Sequence, residues 1–399
     1  MRNEQVSLEQ AKPDASPIAG RVPDGVEISE ETHHNEQAVF VASQWKLVWW
    51  KFKRHRLAMV GLVIVLLLYL IAIFAELLAT RDPNEVNAAY TYAPPQPIGL
   101  FREENGERVF GLYVHGYESE IDPDTFARTF TINEDEVVPV GFWVKGYEYK
   151  LLGFIPFDRH LIGPEDPSQP FYVLGADRLG QDLFSRMILG TRISMSIGLI
   201  GVTISLVLGI ILGGISGYFA GAADTMIQRL IEFLQSIPSI PLWLGLAAAL
   251  PTTWSPLRTY FGITLILSIL GWTGLARVVR GRFLSLREEE FVTAARLDGT
   301  GEMRIILRHM LPSFTSHIIA SITLAIPGMI LAETALSFLG LGLRSPINSW
   351  GVLLQEAQNI RSVSTAPWLL LPGVMVVVAV ISLSFLGDGL RDAADPYAT

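Results

Sequence analysis

The chain has 399 residues, 30 Lys+Arg against 39 Asp+Glu, no Cys, 50% hydrophobic residues and only 17% charged ones. Soluble globular proteins carry about 25% charged residues, so the balance argues against an ordinary cytosolic enzyme, and the missing Cys rules out disulfides, thiol nucleophiles and thiolate metal sites. Uncharged runs of about 18 residues or more recur, each long enough at ~1.5 Å per residue to cross a ~30 Å hydrocarbon core. The expected fold class is an all-α polytopic membrane protein.

Residues 1–38 hold eight acids among Pro, Ser, Gly and Asn with no apolar period, which predicts a disordered cytoplasmic tail. Residues 39–56 read as an interfacial amphipathic helix. In Trp45-Lys46-Leu47-Val48-Trp49-Trp50-Lys51-Phe52-Lys53-Arg54-His55-Arg56, indoles suit the headgroup layer and cations meet anionic lipid. A calmodulin-type target or a nucleic-acid arm is the competing reading, set aside because the stretch abuts a span; no nucleic-acid partner is expected.

Six spans follow, near 57–79, 193–217, 226–250, 259–279, 313–340 and 366–388. Pro238, Pro241 and Gly245 interrupt the third, and Pro327 lies in the fifth. The loop after the fourth carries Arg277, Arg280, Arg282, Arg287, Arg296, Arg304 and Arg308, which makes it cytoplasmic by the positive-inside rule, together with both termini. The stretch from Arg81 to Gly175 is then external, with 16 acids against 7 Lys/Arg. Its segments 108–114 and 137–144 lie between Asp/Glu/Gly/Pro turns, predicting a small, mainly β insert. The division is therefore 57–79 as helix 1, 80–190 as insert and lead-in to helix 2, 191–388 as a core of helices 2–6 with a loop at 280–312, and 389–399 as C-terminus.

All six lysines precede residue 151 and none follows a Gly-rich turn, so no phosphate-binding P-loop exists. HExxH and GxSxG are absent as well. The chain carries no catalytic residue, metal set or cofactor site that the sequence reveals, and a bundle of this kind must borrow its energy from elsewhere.

The most informative segment runs from Arg287 to Pro312. Three glutamates, ending with Glu290, open a short helix whose positive end they complement; Arg296 lies in its last turn and Gly299 supplies a left-handed stop. Ala294 and Ala295 present a low-relief surface that another backbone can approach. A knob for a partner's groove and a plain interfacial loop helix are both compatible with that pattern. The spacing Ala294-Ala295, Gly299, then His309-Met310-Leu311-Pro312 resembles the EAA loop of membrane subunits of ATP-binding-cassette importers. Further matches are Arg54–Gly61, Gly175-Ala-Asp-Arg-Leu-Gly-Gln-Asp182, Glu333-Thr-Ala-Leu-Ser-Phe-Leu-Gly-Leu-Gly342, Ser349-Trp350-Gly351, and Leu386–Asp392 with Asp395-Pro396.

The pattern is most similar to the C-type permease of dipeptide/oligopeptide importers, a type I fold with six membrane helices. The resemblance implies a B-type permease as heterodimer partner, two ATPase subunits that hold ATP and Mg, an external solute-binding protein, and the plasma (inner) membrane of a prokaryote. It also implies that the loop is the coupling helix, with Leu311 and Pro312 closing the motif. Thr293 stands at the motif's Glu position, and Glu290, one turn earlier, can replace it. Relatives handle dipeptides, longer peptides, nickel chelates and some oligosaccharides. An ion-coupled secondary transporter and a membrane sensor with an external ligand domain are the rival readings.

Other candidates have paired readings. Gly209, Gly213 and Gly217 read as a close helix-packing face. Pro238, Pro241 and Pro327 mark either walls of a translocation pathway or simple kinks. Glu333, ~30 Å along a helix from Pro312, either faces an external gate or snorkels to headgroups. Asp177, Asp182 and Arg186, with Trp350 as a further external-face candidate, form a structural ion-pair belt or help seat a binding protein.

Overall fold

The computed structural model describes residues 44–394 except 105–106, 122 and 124–127. The expected tail at 1–38, residues 39–43 and Asp395-Pro396 lie outside them.

Helix α1, Gln44–Arg54, is followed at His55 by α2, Arg56–Ile73; His55 Nδ1 accepts from the Ala58 N–H at 3.0 Å and starts the second helix. Along α2 the large side chains Leu57, Val60, Val63, Leu66, Leu70 and Ile73 are exposed, while Ala58, Gly61, Val65, Leu68 and Ala72 are buried. The protein-facing side holds most of the small residues, with Val65 and Leu68 among them, and from Leu57 on the outward side is wholly large and apolar, the pattern of a helix whose solvent is hydrocarbon. Gly61 makes the approach possible: a Cβ there would stand 2.5 Å from the Ser382 carbonyl oxygen on the last long helix. After a turn at Phe74 comes the one-turn α3, Ala75–Leu78.

Four antiparallel strands form one sheet in the order β1-β2-β3-β4: Gly99–Glu104, Glu107–Ile121, Arg128–Leu151 and Ile155–Pro164. The 24-residue β3 pairs with β2 through its first half and with β4 through its second, from Val140↔Pro164 to Leu151↔Ile155. Val114, Val138, Val140 and Phe171 make its small core, and Tyr90, Tyr117, Phe130 and Tyr172 form an aromatic patch beside it.

The long helices are α4, Leu183–Phe219, α7, Pro256–Leu286, α9, Thr315–Phe338, and α11, Leu371–Ala394; between them lie α5, Gly221–Ser236, α6, Ser239–Ala248, α8, Glu290–Leu297, and α10, Trp350–Gln355. Among the described residues five helices are long and apolar enough to cross a membrane. The third span, expected at 226–250 with prolines interrupting it, is not one continuous helix. Its sequence forms α5 and α6, bent by 84° at the Ile237-Pro238 step, because Pro238 cannot continue the α5 hydrogen-bond ladder and instead caps α6. Counting the bent pair as one span gives up to six.

Helix α4 lies against α7 along the three glycines. A Cβ at Gly213 would be 2.5 Å from the Ala276 carbonyl oxygen, and one at Gly217 2.6 Å from that of Arg280. Both contacts are with backbone, so this face is a close-packed seam.

Candidate functional site

Two ends of the bundle carry the motif residues. At one end α8 begins at Glu290, so only one of the three glutamates is helical; Glu289 takes the cap position without a side-chain bond, and Glu288 pairs with Arg287 at 2.9 Å. The helix stops at Gly299, φ 72°, with the Gly299 N–H on the Arg296 carbonyl and the Thr300 N–H on the Ala295 carbonyl, both 3.0 Å. These two bonds satisfy the last carbonyls of the helix in the manner its glycine stop requires.

Val292 and Ala295 point inward, into one cluster with Tyr218 at the end of α4, Val279 and Phe283 of α7, and Ile305, Ile306, Met310, Phe314 and Ile318. The Arg296 guanidinium lies over the Tyr218 ring, 5.2 Å from its centre. The low-relief surface expected of both alanines therefore needs correcting: Ala294 is exposed, but Ala295 is only 8% exposed, because the helix period turns it toward α7 and the chain's own core. Leu311 is half-buried and Pro312 exposed, in a short turn after the π-helical stretch Ile306–Met310.

The outward face of this loop includes residues that the motif did not point to. Leu297 is 85% exposed, Met303 67% and Leu307 55%, beside a 41% exposed Phe291. The available signal was their apolar character in an otherwise charged loop.

At the other end the motif's charged groups are buried. Asp177 pairs with Arg186, whose Nε–H also donates to Asn348 at 2.8 Å, and Asp177 Oδ1 accepts from the backbone N–H groups of Leu179 and Gln181 at 2.8 and 2.9 Å. Asp182 is separate from that pair. It caps α4 by accepting from the Ser185 N–H at 2.8 Å and from the Thr80 hydroxyl at 3.2 Å, and its burial pushes the carboxyl above the usual range. The loop Gly175–Asp182 is tied so tightly that a Cβ at Gly180 would fall 1.9 Å from the Asn87 carbonyl oxygen. All three charged groups are buried, Asp177 and Arg186 as an ion pair and Asp182 as the cap of α4.

Glu333 neither faces a gate nor snorkels. It is fully buried on α9 and accepts from Ser337 and Ser349 hydroxyls, each at 2.8 Å, and from Ser194 at 3.3 Å. Three hydroxyls from three elements take the place of water. Trp350, expected on the external face, is likewise fully buried: its backbone N–H donates to Ser194 Oγ at 3.1 Å and its ring packs over Gly190, which has no Cβ to obstruct it. The three serines were missed by sequence reasoning; isolated hydroxyls in apolar helices are the trace they leave.

Of the proline candidates, Pro327 is buried inside α9, whereas Pro238 and Pro241 lie exposed at the α5–α6 bend. The α5–α6 arm also exposes Met226, Leu230, Phe233 and Ile240.

Comparison with known proteins adds sequence relatives to this geometry. Residues 205–398 match the family model described as binding-protein-dependent transport system inner membrane component, and residues 43–95 match the N-terminal TM domain of oligopeptide transport permease C. The oligopeptide transport system permease protein OppC of Haemophilus influenzae is 38% identical over 249 residues, 61% of this chain and 78% of that one. The protein of the same name from Bacillus subtilis is 27% identical over 381 residues, 95% of each. Among solved structures, an inward-facing MetNI methionine ABC transporter matches with a TM-score of 0.42 at 15% identity, covering 53% of this chain and 98% of that one.

Proposed function

Because the chain belongs to the family of binding-protein-dependent transport system inner membrane components, we propose that it is the C-type permease subunit of an ATP-driven importer of peptides. The relatives' names, which specify oligopeptide and dipeptide transport, support the substrate class. In this reading the chain crosses a prokaryotic plasma membrane six times, with the bent α5–α6 pair as the third crossing, and keeps both termini and α8 in the cytoplasm. The sheet stands outside as a mainly β insert. The pathway forms between this chain and a second, B-type permease, for which the exposed apolar face of the α5–α6 arm is a suitable contact.

The observation that carries the coupling role is the position of α8. Its outer face is exposed, while its inner face belongs to the same packed cluster as the ends of α4, α7 and α9. A partner ATPase that moves Leu297 and Arg296 therefore moves those helix ends with them, because a close-packed core transmits displacement. ATP and Mg sit on the ATPase pair, and a solute-binding protein delivers peptide from outside. Glu290, Ala294, Arg296 and Gly299 present or shape the docking face; Ala295, Leu311 and Pro312 anchor it.

The test is uptake of labelled peptide into proteoliposomes holding the purified complex. Uptake should require ATP and loaded binding protein and should survive collapse of ion gradients. Uptake that follows an ion gradient without ATP would establish a secondary transporter instead. Topology is read separately in this Cys-free chain: in intact cells an impermeant thiol reagent should label Thr131→Cys and leave Thr300→Cys unlabelled.

A further inference from the structure

We propose that the β3–β4 hairpin is a lipid anchor, its tip entering the hydrocarbon of the bilayer leaflet at the sheet end and the cavity beside it holding a phospholipid acyl chain. The tip reads Leu152-Gly153-Phe154-Ile155-Pro156, and all five residues are exposed. Phe154 is 72% exposed, and Leu152 and Ile155 are both above 40%. A run of consecutive apolar residues standing in water is unfavourable unless something covers it.

The turn chemistry points the same way. Leu151 pairs with Ile155, so the loop has three residues, 152–154; Leu152 and Gly153 have φ of 55° and 85°, and the Gly153 and Phe154 N–H groups reach the Lys150 and Leu151 carbonyls at 3.0 and 3.3 Å. Gly, Asn or Asp is the usual residue at a left-handed turn position. Leu there is held against its own backbone preference, and in exchange it extends an apolar side chain from the tip.

The location identifies what covers it. The sheet is fixed to α3, just beyond the end of α2, where His160 Nδ1 meets the Glu76 carbonyl at 3.1 Å, and Glu76 is in turn paired with Arg192 of α4. From His160 to Ile155 the strand extends about 17 Å, and it runs back alongside the helices. Leu152 and Gly153 share a cavity of about 470 Å³ with Tyr69, Ala72 and Ile73 of α2 and with Met195 and Leu199 of α4, Arg192 and Ser196 being its polar members. Leu199 lies ~10 Å along its helix beyond Arg192, so the tip is level with the apolar stretch of both spans. Ile73 and Leu199 are themselves nearly half exposed on the lipid-facing sides, and the hairpin surface is continuous with theirs. Lys150 and Arg159, both exposed, stand on the flanking strands where phosphate groups would lie.

The chain has no cysteine, so Phe154→Cys and Ile155→Cys each give a single site. Each is labelled with an environment-sensitive fluorophore in the protein purified with its accompanying subunits and placed in phosphatidylcholine/phosphatidylglycerol nanodiscs. Lipid carrying a nitroxide at acyl carbon 5 should quench both labels several-fold more than a label at Thr131→Cys, on the far part of the sheet. Before labelling, a charged maleimide should react at least ten-fold more slowly at these two sites than at Thr131→Cys. Fast aqueous reaction without quenching would place the tip in water. Slow reaction without quenching would place it against a partner protein, and either result overturns the proposal.

Discussion

At the sheet end of the bundle Asp177, Asp182, Arg186, Glu333 and Trp350 are each 7% exposed or less, whereas at the loop end Glu290, Ala294, Arg296 and Gly299 stand in the open. Both sets belong to equally recognisable sequence motifs. At the sheet end the Asp177–Arg186 pair, Glu333 and one Asp182 oxygen are satisfied by the chain's own serines, amides and opposite charges, while Asp182 Oδ1 and the Trp350 indole N–H are buried without a partner; the motif encodes a scaffold. At the loop end the buried members are apolar and the polar members face out, so the motif encodes a surface mounted on a core. A recognisable pattern does not by itself say which of these it is, and burial separates them.

The largest expected effect lies in the scaffold. Arg186→Met should leave the Asp177 carboxylate buried without its cation and destabilise the protein by about 3–5 kcal/mol, read as loss of folded yield and a lower thermal midpoint in nanodiscs. Adding Asp177→Asn should restore part of that loss, since the second change removes the uncompensated charge. If Arg186→Met matches the native midpoint but impairs binding-protein stimulation, the pair is a docking surface after all and the comparison fails.

The loop end is tested by two insertions of the same side chain. Ala295→Arg forces a cation among Val292, Phe283 and Ile305 and should cost about 3 kcal/mol or more. Leu297→Arg, two residues on and 85% exposed, should change stability by no more than about 0.5 kcal/mol while reducing ATPase co-purification and peptide uptake. Equal thermal midpoints for the two variants would remove the distinction between anchor and surface within α8.

How much of this could be read in advance depended on whether the deciding interaction was local. Gly299 was legible because a helix stop is built from bonds within six residues. The close approach at Gly209, Gly213 and Gly217 was legible because a four-residue spacing fixes one helix face. Segments 108–114 and 137–144 lie in β2 and β3 for a similar reason, their apolar character having come with turn residues at their ends. Glu333 was not legible. Its ~30 Å distance from Pro312 gives a depth along the helix, but the direction it faces is set by Ser194 and Ser349, which are remote in sequence. Trp350 was misread as a surface residue because the ring's place depends on Gly190, on another helix. The α5–α6 bend was half legible: the prolines marked an interruption, but an interruption alone does not fix an angle, here 84°.

The smallest effect concerns the hairpin, where turn preference and surroundings make opposite demands. Asn tolerates the left-handed position that Leu152 occupies with φ 55°, so in water Leu152→Asn should relieve strain and stabilise the turn by about 1 kcal/mol. In hydrocarbon the same change exchanges an apolar side chain for an amide without partners, which costs about as much or more. Thermal unfolding in phospholipid nanodiscs should therefore show a midpoint that is unchanged or slightly lowered. A clear rise would mean that only the turn chemistry matters and that the tip stands in water. The sheet would then be a cap over the helix ends with no hold on the bilayer, its second half held to the helices where His160 meets Glu76.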